Sequence, residues 1–222
     1  MAQLPLDLGH RPALGRTDFL VAPPNAAAIA WLDRWPSWPS PALMLYGPAG
    51  SGKTHLAHVF AARSGAALID PGALSIERVP ALIAAAAAAA VDNADSVPEE
   101  ALLHLHNVLG ERGGHLLVVA REPPARWPIG LADLRSRLLA APAVALAAPD
   151  DALLGAVLVK LFADRQLVVS EEVIAYLLVH LERTFAAARR IVAALDRAAL
   201  AARRRVTVPL AREVLAGRLG ED

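Results

Sequence analysis

Residues 47–54 read Gly-Pro-Ala-Gly-Ser-Gly-Lys-Thr, the G-x-x-x-x-G-K-[ST] spacing of a loop that wraps phosphate. Glycine at Gly47, Gly50 and Gly52 lets successive backbone N–H groups turn inward around anionic oxygens. A helix starting directly after the loop adds the partial positive charge of its N-terminus. In this reading Pro48, Ala49 and Ser51 complete the wrap and His55 lies just beyond it on the helix. Lys53 reaches the β- and γ-phosphates, and the Thr54 hydroxyl holds Mg²⁺. The chain contains only two lysines, Lys53 and Lys160, against 20 arginines. Keeping one of them here fits a need for a compact ammonium, which a planar guanidinium does not replace. A chain of this composition produces the pattern by chance in about 4 of 10,000 cases. A ligand-free glycine turn is therefore a poor account of it, although a site that binds without hydrolysing remains open.

Asp92 follows an apolar run and is the natural acid to arrange Mg²⁺ through its water shell; the plain alternative is a turn residue at a strand end. The next residue is Asn93, where a hydrolytic enzyme commonly places a second acid. Asparagine cannot act as a base, so slow intrinsic turnover is expected. His55 and His58, three apart on the helix after the loop, suit either half of a metal site or an ordinary helix face. His104 and His106, two apart, point to different sides of a helix and cannot chelate together. Trp31, Trp35 and Trp38 cluster ahead of the first strand and read as packing rather than base stacking. There are no cysteines, hence no disulfide, no thiolate nucleophile and no Cys-type zinc site.

These residues need a scaffold, and the apolar runs supply one. Strands are expected at 42–46, 67–69, 116–120 and 143–146, with another ending at Val91. They alternate with helices, which implies an α/β fold with a five-stranded, largely parallel sheet. The alanine-rich stretch from Leu82 to Val91 favours helix on propensity alone; it reads here as a helix to about Ala84 and then a buried strand delivering Asp92. Ser96 and Glu99 have capping-box spacing and start a helix that Gly113 and Gly114 stop. From Pro149 onward only helical periodicity remains, with cap candidates at Asp150, Ser170 and Thr207. The expected organisation is a tail over 1–20, an α/β domain over 21–148 and a helical module over 149–222. Hydrophobic residues make up 55% of the chain and 22 Lys and Arg balance 22 Asp and Glu. That excludes disorder and wholesale coating of nucleic acid. Residues 150–222 hold 11 basic against 10 acidic residues, so even the Arg203–Arg205 cluster does not make a DNA-binding surface. The longest apolar run, 81–91, falls short of the ~20 residues that span a bilayer, and no signal peptide is visible. A cytoplasmic protein without membrane contact is expected.

The order of the phosphate loop, Asp92-Asn93, the strand leading to residues 118–124, the Asp133-Leu-Arg-Ser-Arg137 motif and the helical module resembles the DnaA-related AAA+ family. Within it, the chain most resembles regulatory inactivators of the Hda type, over nearly its whole length. The resemblance implies an AAA+ P-loop fold with a helical lid, bound ADP or ATP with Mg²⁺, and Asp92 as the Walker B acid. It makes Arg137 an arginine finger acting in trans, with Arg135 as the substitute. Residues 18–21 and Asn25 resemble the segment near the adenine. Sensor 1 falls on Ala120-Arg121, where relatives carry small polar or acidic residues. Sensor 2 falls on Ala186, flanked by Arg183 and Arg189, and is left unassigned. Gln3, Leu4, Leu6 and Leu8 resemble the peptide that docks on the DNA polymerase III sliding clamp, with Gln3 in a polar notch and the leucines in an apolar groove; a leucine-rich strand capping the domain is the alternative. The implied function is negative regulation of replication initiation, by stimulating hydrolysis of DnaA-bound ATP, with self-association open. No counterpart of DnaA's helix-turn-helix is seen, so sequence-specific DNA binding is not expected. The competing reading is an autonomous P-loop ATPase or loader, or a small-molecule kinase, for which the 133–137 motif has no purpose.

Overall fold

The computed structural model describes residues 20–218. Contacts divide the chain between Ala147 and Ala148 into two compact units. In the first, β1 (Ala42–Tyr46), β2 (Ala67–Ile69), β3 (Ala88–Val91), β4 (His115–Ala120) and β5 (Ala143–Ala145) alternate with α1 (Ala26–Asp33), α2 (Lys53–Ser64), α3 (Val79–Leu82), α4 (Glu99–Glu111) and α5 (Ala132–Ala140). The strands form one sheet in the order β2-β3-β4-β1-β5, and every pair is parallel.

Parallel strands are covered on both faces, which explains their uninterrupted apolar character. Successive side chains alternate between two cores. Met44, Val91 and Val118 join Leu102, Leu105 and Leu138 on one face. Leu43, Leu45 and Val119 join Leu32, Leu56 and Phe60 on the other. Trp38 stacks on Phe60 at 5.4 Å between ring centroids, and Trp35 meets the same ring edge-on at 5.9 Å. The tryptophans are packing residues. The alanine-rich stretch is divided as read: α3 ends at Leu82, and Ala88, Ala89, Ala90 and Val91 are all buried in the sheet. Burial on both faces overrides alanine's preference for helix, and the short side chains let α2 pack closely on β3.

The capping-box expectation is corrected. The N-cap of α4 is Pro98, without a side-chain cap, and the Ser96 hydroxyl donates to the Asn93 carbonyl at 2.7 Å. The Glu99 carboxylate instead reaches across the fold. It accepts from the backbone N–H of Gly130 at 3.0 Å and of Leu131 at 2.7 Å, tying the start of α4 to the residues that open α5, the helix of Arg137.

The second unit contains α6 (Asp151–Ala163), α7 (Glu171–His180), α8 (Phe185–Ala202) and α9 (Val208–Arg218) around Leu158, Phe162, Leu177, Ile191 and Leu195. Asp150 caps α6 by accepting from Leu153 N–H at 2.8 Å. Ser170 stands at the N-cap of α7 but makes no side-chain cap. Thr184, unread in the sequence, caps α8 by accepting from Ala187 N–H at 3.1 Å. Among the described residues, no helix is long and apolar enough to cross a membrane.

The two N–H donors, Gly130 first and Leu131 second, hold the Glu99 pKa below its ordinary value. A depressed carboxylate stabilises the fold above the unfolded pKa and loses that contribution as pH falls through the folded one. Glu99→Gln should therefore lower Tm at pH 7, and its gap from the parent should narrow as pH falls below 4.5. Thermal melts across pH 7 to 3 check this; a gap independent of pH would contradict it.

Candidate functional site

Tyr46, the last residue of β1, pairs with Ala120 of β4 and Ala145 of β5, and Val91 of β3 pairs with Val118. Gly47, Asp92 and Arg121 therefore leave the sheet side by side at its C-terminal edge, where open α/β sheets take ligands. A Cβ on Gly47 would lie 2.1 Å from the Leu146 carbonyl oxygen, so only glycine fits between the loop and the strand end. Gly52 stands at the N-cap of α2 with φ +100°, which places Lys53 on the helix's first position.

Lys53 is 8% exposed. Its ammonium donates to the carbonyls of Gly47 at 2.7 Å and Pro48 at 2.8 Å. Burial pushes its pKa down, Asp92 and Asp95 oppose that shift, and Arg121 adds to it. The Thr54 hydroxyl donates directly to Asp92 Oδ2, while Asp92 Oδ1 accepts from Asn93 N–H at 2.9 Å. The Ser51 hydroxyl is buried and unpartnered. Pro48 and Ala49 are exposed and His55 is half-buried on the first turn of α2. A backbone cradle with no room for a Cβ, an orphaned hydroxyl and an ammonium at a helix N-terminus suit phosphate. The hydroxyl and carboxylate oxygens of Thr54 and Asp92 are the hard donors that Mg²⁺ takes.

Arg121 is the residue whose part the sequence left open. It is exposed at the end of β4 and close enough to act electrostatically on Lys53. Strand order is the signal that would have found it, because only the β1-β4-β3 adjacency brings it beside the loop.

The structure does not join Arg137 to this cluster. It lies on α5, where its Nε and Nη2 donate to Asp133 Oδ1 and Oδ2 at 2.9 and 3.1 Å. Arg135, on the same helix, is exposed. Asn25 is buried and organises its own segment: Oδ1 accepts from Ala22 N–H at 2.8 Å, and Nδ2 donates to the Leu20 carbonyl at 2.9 Å. In the helical unit Ala186 is exposed on the first turn of α8. Arg183 makes paired bonds to Asp151 at 2.9 and 3.1 Å, and Arg189 donates to the Phe185 carbonyl at 3.3 Å. Among the described residues no group of three or more His, Asp or Glu is placed to hold a metal ion. Gln3, Leu4, Leu6, Leu8, Asp18 and Phe19 lie outside the described residues.

Residues 151–215 match the family model of the Hda lid domain. Domain III of the replication initiation protein DnaA from Thermotoga maritima is similar in structure, with a TM-score of 0.76 at 17% identity over 90% of this chain and 94% of that one. A DnaA bound to AMPPCP and single-stranded DNA gives 0.65 at 16% identity, over 84% of this chain and 65% of that one. Thermotoga maritima RuvB gives 0.66 at 16% identity, over 79% and 61%. This chain thus spans just under two thirds of the longer relatives' length. A search of curated proteins returned no match. The chain thus has the fold of DnaA domain III, and its residues 151–215 are similar to the lid domain of Hda.

Proposed function

We propose that this DnaA-related AAA+ regulator binds ADP or ATP with Mg²⁺ at residues 47–55, docks on the DNA-loaded sliding clamp through Gln3, Leu4, Leu6 and Leu8, and stimulates hydrolysis of DnaA-bound ATP through Arg137 supplied in trans. The observation that carries it is the gathering of the Gly47 cradle, Lys53 and the Thr54–Asp92 pair at one sheet edge, in a chain whose lid is of Hda type. The AMPPCP bound by a DnaA of similar fold supports the nucleotide assignment. Thr54 and Asp92 would hold Mg²⁺, which would neutralise phosphate charge. Lys53 would exchange its two loop carbonyls for phosphate oxygens, and the α2 N-terminus would add backbone donors. Asn93 gives the chain no base beside Asp92, so its own turnover would be slow or absent and its action would fall on a partner's nucleotide. That weakens the autonomous ATPase, loader or kinase reading. A cytoplasmic setting belongs to the same proposal.

The deciding measurement is ATP turnover, first by the isolated protein and then with DnaA–ATP and DNA-loaded clamp. Hydrolysis that needs all partners supports the regulator; robust turnover alone, or phosphoryl transfer to a small acceptor, overturns it.

Three sets of substitutions separate the parts. Gly47→Ala forces a backbone collision and should cost roughly 1–3 kcal/mol of stability together with nucleotide affinity; calorimetry reads both, and a variant that matches the parent in each would contradict the cradle. Arg137→Ala should keep the fold, ADP affinity and clamp binding, yet lose DnaA–ATP hydrolysis by at least about tenfold, or ~1.4 kcal/mol. Lysine at that position should not rescue it, because an ammonium lacks the planar fork, whereas Lys53→Ala should weaken nucleotide binding in cis. Parental hydrolysis by the Arg137 variant would make that residue an ordinary surface arginine. Replacing Gln3, Leu6 and Leu8 together with Ala should abolish clamp binding and leave nucleotide affinity intact; undiminished clamp binding would remove the tail from the mechanism.

A further inference from the structure

The helical lid bears a groove of about 600 Å³ that none of the nucleotide chemistry uses. It forms where the α6–α7 connection faces the C-terminal end of α8 and the turn into α9. Both connections turn through a left-handed residue, Gln166 at φ +58° and Arg203 at φ +50°. The floor is aliphatic and continuous with the lid core, through Ala199 and Val206, each 6% exposed. The walls are aliphatic too, but open to water: Val168 is 90% exposed and Leu200 79%. Covering two such side chains removes apolar surface from water at ~25 cal/mol per Å².

Three successive arginines line the same groove. Arg204 is paired with Glu213, and Asp196, the one acid in the lining, faces Arg165 at 3.7 Å. Arg203 and Arg205 make no ion pair among the described residues and are exposed. The groove therefore offers an aliphatic slot with two unbalanced guanidinium groups beside it. A polyanion such as nucleic acid gains little from an aliphatic floor, and the lid's 11 basic and 10 acidic residues over 150–222 present no extended positive field. A peptide with an apolar anchor between carboxylates meets both features, because guanidinium pairs with carboxylate through two parallel bonds.

We propose that this groove is a docking site for a short acidic segment of a partner protein, which seats an aliphatic side chain between Val168 and Leu200 and its carboxylates on Arg203 and Arg205. The site is separate from residues 47–55 and does not depend on the nucleotide reading.

The test is a methyl NMR titration of the full chain with the capped peptide Asp-Glu-Leu-Leu-Asp-Glu. Comparison probes are Lys-Lys-Leu-Leu-Lys-Lys, Asp-Glu-Ser-Ser-Asp-Glu, a twelve-residue oligothymidylate and a peptide of residues 1–19. The first peptide should shift the Val168 and Leu200 methyls saturably with Kd below about 1 mM, and the others should bind at least about tenfold more weakly. Leu200→Glu, and Arg203→Ala with Arg205→Ala, should each weaken it at least about tenfold at unchanged Tm. The comparison of probes on the parent protein stands even if a variant misfolds. No saturable shift, an equal response to the basic or serine peptide, undiminished binding by the variants, or tighter binding of the oligonucleotide or the 1–19 peptide would each overturn the proposal.

Discussion

The pairing of β4 with β1 on one side and β3 on the other is the constraint from which the candidate site follows. Tyr46 lies beside Ala120 and Val91 beside Val118, so the three strands run out within two residues of one another. Gly47, Asp92 and Arg121 come from distant parts of the chain and meet only because of that shared ending. A slip of one residue would turn every side chain of a strand to the opposite face. A slip of two would preserve the faces but move Asp92 by about 6.6 Å, far beyond reach of Thr54. The buried, two-sided packing of Met44, Leu45, Val118 and Val119 forbids both.

The charges at this edge are balanced rather than uniformly positive. Lys53 and Arg121 stand against Asp92 and Asp95. Lys53 is held at the mouth of α2 by loop carbonyls, with Asp92 favouring its charged form against the desolvation that opposes it. Asp92 is in turn bridged to the first turn of the same helix through Thr54. Strand β3, loop 47–54 and helix α2 are thereby joined by polar contacts where the apolar core ends.

The fold was legible because parallel strands covered on both faces leave continuous apolar runs, and because the glycine-rich loop has to follow a strand and precede a helix. Even the alanine-rich β3 could be placed from the need to deliver Asp92 to the sheet edge. What escaped was long-range and polar. Glu99 has the spacing of a local cap, yet its carboxylate is taken by Gly130 and Leu131, a partnership over 31 residues that no local pattern encodes. The position of Arg121 depends on strand order, which alternation of strands and helices does not specify. The Arg183–Asp151 pair likewise joins the start of one lid helix to the connection before another, and periodicity along either helix is blind to it. Thr184 precedes α8 by one residue and caps it through Ala187 N–H, a role that helical periodicity after Pro149 does not mark.

Lys53 and Thr54 do not stand idle in the loop over residues 47–54. Lys53 already has two carbonyls, and Thr54 already has Asp92. An ion that engages Lys53, Thr54 or Asp92 performs an exchange rather than an addition, because those groups already hold loop carbonyls or one another, whereas the Ser51 hydroxyl is unpartnered. Affinity then records the difference between two sets of bonds of similar kind, much smaller than either set alone. The loop is also braced by these same groups: the Gly47 and Pro48 carbonyls converge on one ammonium, and the Thr54 hydroxyl ties the start of α2 to the end of β3 through Asp92.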